Sequence, residues 1–528
     1  MNTSPNKGFP RVFFSKFSKL SLISALSTLA AASASAENRA PKELVIAAPF
    51  GPKSSVPDPR ARQNGWLSNR AGVSETLIGL GYDMSMQPRL ALSYENLSQT
   101  QWKIALREGV KFHDGSVLTA ADVKDSFAKL DAEGHPAYNP RLSKLLGLKS
   151  ITVEDTHTLI FETETPNSAF LWTLTEPSAA VMKDGYDDYP LIGTGPFVFE
   201  KAVTEKTYVS RGFADYWGGA PKLDRLVIDA IPDGAVAALA LKSSDVHLVS
   251  NYPEADFAKL EEDQAGQRFA ASTTRLFFYQ PRMDGGPLAN DALRQAVSLG
   301  LDRDTIVAAS LAGVGGDVAN SMFPANMTSW VNPHLMLPYD PAQAKALLDD
   351  AGIVDNDGNG IRELDGADVV LKLRTYEGRA ALRPTLEISQ AMLQQIGIGA
   401  EISIGEFGAN NDALAAGEID MHLQAWGTAP QGDPDYFPST LVATGASYNI
   451  AGYSNPDLDA LLEQGRSLFK TEERQPIYAK VQDIVNQDLP IIPLFHKTQV
   501  SVGNGKVIGY QIHPAETYLA SPELDLAE

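Results

Sequence analysis

The sequence predicts a mixed α/β protein built from more than one packed domain, and three observations carry that expectation. Short β-rich runs, Glu43–Ala48, His157–Phe161 and Arg225–Asp229, alternate with stretches of helical periodicity, which favours α/β layers over an all-helical or all-β architecture. No segment repeats with a period of roughly 20 to 50 residues and no low-complexity tract interrupts the chain, so solenoids and linker-dominated arrangements drop out. The length of 528 residues suffices for two to four domains at about 100 to 200 residues each.

From the N-terminus, the basic residues Lys7, Arg11, Lys16 and Lys19, with no acidic residue among them, precede an apolar stretch from Leu20 to Ala32. That stretch ends in Ala34-Ser35-Ala36, the pattern of an export signal cleaved after Ala36. It is shorter than the roughly 20 residues that span a bilayer, and no later segment is long and apolar enough to do so. The chain has no cysteine, which excludes disulfides and a cysteine-linked lipid anchor. Its formal charge of −21, more negative still without the signal, repels nucleic acid and anionic lipid headgroups.

Several helices carry their own punctuation. In the segment from Tyr339 to Gly352, Asp340 is placed to accept from the first free amides, Pro341 suits the first helical position and Gly352 suits a left-handed close. A second helix is expected with Thr471 as its cap and Glu472 and Glu473 on its positive end. It shows Ile477, Val481, Ile484 and Val485 on one face, and a strand Ile491–Phe495 follows Pro490. The segment Asp355–Gly360 imitates the start of a calcium loop, but Gly366 stands where that loop needs a bidentate glutamate, so a solvated turn is expected.

The requirements of a secreted hydrolase are not met: there is no cysteine nucleophile, no GxSxG, no HExxH and no GxxxxGK[ST]. Asp433 and Asp435, flanking Pro434, read as turn formers rather than as an acid and base pair. The eight histidines form no HxxxH or HxH pair, so no metal cage built by the protein is expected, and no cofactor.

Four segments, in order, resemble the family 5 extracellular solute-binding proteins of ABC importers, the group that includes oligopeptide, dipeptide, nickel and opine binders. They are Trp102–Gly115 with Leu118–Val123, Gly193–Phe197 with Asp215–Gly219, Leu293–Arg303, and Leu489–Leu494. Each also makes sense unaided: the glycines serve turns that need positive φ, Pro196 begins a strand, and Leu293, Ala296 and Val297 share a helix face. The resemblance implies a two-lobed periplasmic binding protein of type II, cluster C, with a subdomain inserted in the N-terminal lobe. The implied organisation is a signal over 1–36, lobe I over 37–88, 190–283 and 500–528, an inserted subdomain over 89–189, and lobe II over 284–499. It further implies a monomer in the periplasm that closes around a small ligand and delivers it to the importer's permease, not an enzyme.

The ligand is approached through the segment Leu423–Phe437. Dipeptide-binding relatives carry there an aspartate for the peptide's α-ammonium group, and Pro430 occupies that place. Ala425–Pro430 and Asn69–Leu77 look more like the nickel and opine-type metallophore binders, which take a metal wrapped in small polycarboxylates. Such a ligand needs arginine forks and aromatic walls. The expected ligand-binding residues are therefore Trp426, Arg141, Arg379 and Arg70, with His496 and His422 as further candidates. No arginine precedes the Trp-Gly stretch between Asp412 and Glu418, a departure from nickel-type binders. A di- or oligopeptide receptor, or one that signals to a chemoreceptor, stays open.

Overall fold

The computed structural model describes residues 41–61, 66–186, 188–260 and 267–527, and the expected signal over 1–36 lies outside them. Among the described residues one large sheet contains β1 (Glu43–Ala48), β2 (Phe197–Val203), β3 (Thr207–Gly212), β4 (Arg225–Ala230), β5 (Leu248–Ser250) and β6 (Gln267–Pro281). It continues with β7 (Gly316–Val318), β8 (Val370–Tyr376), β9 (Gly399–Gly405), β10 (Met421–Gly427) and β11 (Ile492–Gly503). Their order across the sheet is β9-β8-β10-β6-β11-β5-β1-β4-β3-β2, with β7 added on β11.

Two parallel groups flank one antiparallel pair. β1 lies parallel between β4 and β5, and β8 lies parallel between β9 and β10. The long strands β6 and β11 run antiparallel to each other and pass through both groups: β11 meets β5 at Ser501–Gly503, whereas β6 meets β10 at Arg275–Pro281. The fold is thus the two-lobed α/β type, with β6 and β11 crossing between lobes.

The crossing strand shows why the sequence folds this way. Leu276 and Phe278 pack with Trp426, Phe437 and Tyr478, while Phe277 and Tyr279 pack on the opposite face with Leu293, Leu371 and Leu494. All four β6 residues are buried, so the strand reads as a continuous apolar run rather than an alternation. In the other lobe Leu44 and Ile46 of β1 join Phe197, Leu226 and Leu248, while Ala47 meets Ala237, Ala238 and Leu241 of the helix Gly234–Lys242.

A separate four-stranded antiparallel sheet, with Gln101–Leu106 and Thr158–Thr163 at its centre, has its own core of Trp102, Ile104, Phe161 and Phe170. The helix Ala120–Ala128 that packs in this core opens with a reciprocal capping box between Thr119 and Asp122.

The local expectations fare unevenly. Asp340 caps the helix Pro341–Asp350 by accepting from the Gln343 amide at 2.8 Å, and Gly352 takes φ 74°. Thr471, expected as a cap, is the first helical residue of Thr471–Asp488; extended Lys470 precedes it and gives no side-chain capping bond. Gly193 and Gly195 do not need positive φ. A β-carbon on either would stand 2.1 and 2.2 Å from the carbonyl oxygens of Val73 and Gly72, so the glycines permit close backbone contact instead. The Asp355–Gly360 segment forms an exposed turn in which the Asp355 carboxylate accepts from Gly358 and Gly360. Glu363 and Asp368 bring carboxylates within 4.8 Å of that of Asp357. No helix among the described residues is long and apolar enough to cross a membrane.

Burial pushes five histidines below their ordinary value of 6.5: His113, His496 and His513 to about 4, His422 to about 3, and His247 also downward. The unfolded chain therefore binds more protons than the folded one between about pH 4 and 6.5. Stability is fully present above that window and falls as the pH drops through it, by about 1.4 kcal/mol per pH unit for each histidine. Urea unfolding at pH 7 and pH 5 should show a lower midpoint at pH 5, and equal midpoints would contradict these environments.

Candidate functional site

A cavity of about 670 Å³ opens where the crossing strands leave the two lobes. Its aromatic walls are Trp66, Tyr376, Phe407, Trp426, Tyr436 and Tyr448, and Arg70, Arg275 and Arg379 also line it. Arg70 ends the short helix Trp66–Arg70, Arg275 projects from β6, and Arg379 follows β8.

The three guanidinium groups are not equivalent. Arg275 is fully committed: its Nε and Nη2 donate to the two carboxylate oxygens of Glu516 at 2.7 and 2.5 Å, and its Nη1 donates to the Ala425 carbonyl at 3.0 Å. Arg70 spends only its Nε, on the Glu516 backbone carbonyl at 2.8 Å. Arg379 stands 5.7 Å over the Phe50 ring and, like Arg70, forms no ion pair with a carboxylate among the described residues.

Their electrostatics follow from that arrangement. Burial, with further repulsion from Arg275 and Arg379, brings Arg70 down to about 10 against the pull of Glu516. Burial and repulsion by Arg275 likewise lower Arg379. Burial alone would raise Glu516, but Arg275 above all, helped by Arg379 and Arg70, holds it at about 2. A partly buried cluster of three cations and one anion carries excess positive charge.

Gly427 and Pro430 suggest from the sequence a loop at a strand end for Trp426, but it lies within β10, one residue before the strand ends, opposite Leu276 of β6. Its ring meets Tyr448 edge-on at 4.8 Å. The loop beyond it is pinned by charges read from sequence as turn formers. Asp433 is wholly buried and takes a two-pronged bond from Arg474 at 2.7 and 3.0 Å. Asp435 accepts from Arg466 and from the Tyr478 hydroxyl. Pro430 also lines the cavity.

The remaining candidates lie elsewhere. Arg141, on the helix Pro140–Leu146, grips Glu176 with both terminal nitrogens. Glu176 is completely buried and also accepts from Gln431 Nε2 at 2.7 Å. Arg141 lines a smaller neighbouring pocket of about 170 Å³, which shares Tyr436 with the main cavity. His422 is buried behind the wall, bonded through Nδ1 to Asn411 Oδ1 at 3.0 Å and packed against Tyr376 and Phe407. His496 is buried on β11 with Nε2 3.4 Å from the Ser321 carbonyl. Neither histidine lines the main cavity, because the sheet's close packing turns both rings into the protein.

Sequence reasoning missed Arg275 and Glu516. Arg275 did leave a signal, as a charge at the start of the otherwise apolar run Leu276–Tyr279. Glu516 left none, because only the fold carries the C-terminal segment to the arginines.

A model of the bacterial extracellular solute-binding proteins, family 5 (middle), matches residues 85–449. The chain is 27% identical over 467 residues to Heme-binding protein A of Haemophilus influenzae, covering 81% of this chain and 82% of the relative. It is 27% identical over 511 residues to Glutathione-binding protein GsiB of Escherichia coli O1:K1 / APEC, covering 92% and 95%. The crystal structure of NikA from Brucella suis in complex with Fe(III)-EDTA superposes with a TM-score of 0.81 at 23% identity, covering 92% of this chain and all of that one.

Because Arg141 neutralises a buried carboxylate, Arg141→Ala should lower the unfolding free energy by roughly 3 to 5 kcal/mol. Denaturant titration checks this: an unchanged midpoint accompanied by lost ligand affinity would make Arg141 a ligand contact instead of a brace.

Proposed function

We propose that this chain, which belongs to the bacterial extracellular solute-binding proteins of family 5, is the periplasmic receptor of an ABC importer for a small polycarboxylate. The ligand class is a metal chelate, with nickel foremost, or an opine-type metallophore. The observation that carries this reading is the pair Arg70 and Arg379, facing a cavity of about 670 Å³ without carboxylate partners among the described residues. Each arginine fork that engages a carboxylate contributes roughly 1.5 to 3 kcal/mol. Two forks and an aromatic wall approach the roughly 8 kcal/mol of a micromolar complex.

A chelator fills most of its metal's coordination sphere, so the protein has to supply cations and flat apolar surface rather than metal ligands. Trp426, Tyr376 and Phe407 provide that surface. The Brucella relative bound to Fe(III)-EDTA holds a ligand of the same class. The export signal ending at Ala36 and delivery to a permease are part of the same proposal. In it, lobe closure is driven only by the ligand's greater affinity for the closed form.

A short peptide is the second reading. Glu377 and Glu406 also line the cavity, both exposed, and offer a counter-charge for an ammonium group that Pro430 does not. The glutathione-binding relatives take such a ligand.

Mass spectrometry of ligand released from protein purified out of its native host separates the readings. A metal-bound amino-polycarboxylate supports the first, and a ladder of mixed peptides defeats it. Trp426→Ala and Arg379→Ala should each weaken binding of the identified ligand at least ~10-fold by calorimetry. Unchanged affinity in both would remove this cavity from consideration.

A further inference from the structure

Glu516 engages two arginines through two different groups. Its carboxylate takes both prongs of Arg275, and its backbone carbonyl takes the Arg70 Nε. The residue adopts φ 55°, a left-handed conformation that a β-carbon disfavours, so the turn is held there by its contacts. Those contacts include its own amide donating to the His513 carbonyl at 2.8 Å.

We infer that Glu516 is a specificity-determining residue that fixes the charge of the ligand by subtracting one cation from three. With Arg275 occupied by Glu516, two guanidinium groups stay open to the cavity, and the ligand that matches them presents two carboxylates rather than one or three. The inference rests on the reading that the cavity takes carboxylates. The other charges at the cavity do not alter this count. Glu377 and Glu406 are exposed, where solvent screens them, and Lys53 pairs at the surface with Glu205 at 2.5 Å. Removing the Glu516 charge releases the Arg275 fork, which already lines the cavity, and creates a third carboxylate site.

Calorimetry with butyrate, glutarate and tricarballylate at pH 7.5 and low salt tests the count on the whole exported chain, because these probes carry one, two and three carboxylates. The wild-type protein should bind glutarate tightest, by roughly tenfold over each of the others. Glu516→Gln should move the preference to tricarballylate, changing the ratio by at least ~10-fold, and Glu516→Asp, which keeps the charge, should retain the wild-type order. If Glu516→Gln fails to fold, Arg379→Gln decides, since it leaves one open arginine and should shift the preference to butyrate.

A folded Glu516→Gln protein that still prefers glutarate overturns the inference and leaves the carboxylate reading standing. So does an Arg379→Gln protein with an unchanged order. Wild-type protein that binds none of the three probes overturns both.

Discussion

Three guanidinium groups held together in a partly buried cluster repel one another, and the rest of the site is organised around containing that repulsion. The chain does not cancel it. Glu516 compensates one charge through Arg275, and aromatic rings line the cavity beside the other two. The three cations and the glutamate beside them come from four separated regions of the fold: a helix end at Arg70, a crossing strand at Arg275, the loop after β8 at Arg379 and the C-terminal segment at Glu516. Such a cluster is unfavourable as a local feature and exists only because the cores of both lobes hold its parts in place.

The second organising element is the buried ionic scaffold behind the tryptophan. Asp433 with Arg474 and Asp435 with Arg466 fix the loop that follows β10, and Gln431 in that loop reaches Glu176, which Arg141 already holds. The Asp433–Arg474 pair is deeply buried, whereas Arg466 is 35% exposed; a deeply buried pair adds little net stability over apolar packing, but each partner is costly to leave alone. Trp426 and Pro430 inherit their positions in the wall from that ionic scaffold. Arg141, a plausible ligand contact on sequence grounds, serves in this scaffold.

The fold was legible where a local rule and the tertiary environment agree. The strands at Glu43–Ala48 and Arg225–Ala230 and the Asp340-capped helix follow from runs and caps that need no distant partner. Thr471 shows where a local rule loses: the helix starts one residue early because Lys470 already has the extended backbone of a cap. Trp426, Arg70 and Arg379, chosen through resemblance and residue type, line one cavity. His422, offered by strand alternation, and His496, offered by resemblance to nickel-binding relatives, do not line this cavity, because neither argument says whether the face a side chain takes is open. Glu516 was invisible for a deeper reason, since its role depends on contacts with residues more than 100 positions away in the chain.

The hydrogen-bond ladder between β6 and β11 shifts register between Ser272 and Leu276, and Arg275 lies inside that interruption. Torsional compliance in a sheet concentrates where its ladder is broken, which makes this point the natural fulcrum for any swing of one lobe against the other. At that point Arg275 keeps its two-pronged bond to Glu516 and its bond to the Ala425 carbonyl, so the stretch that lacks ladder bonds is tied by side-chain bonds to the C-terminal segment and to β10 instead.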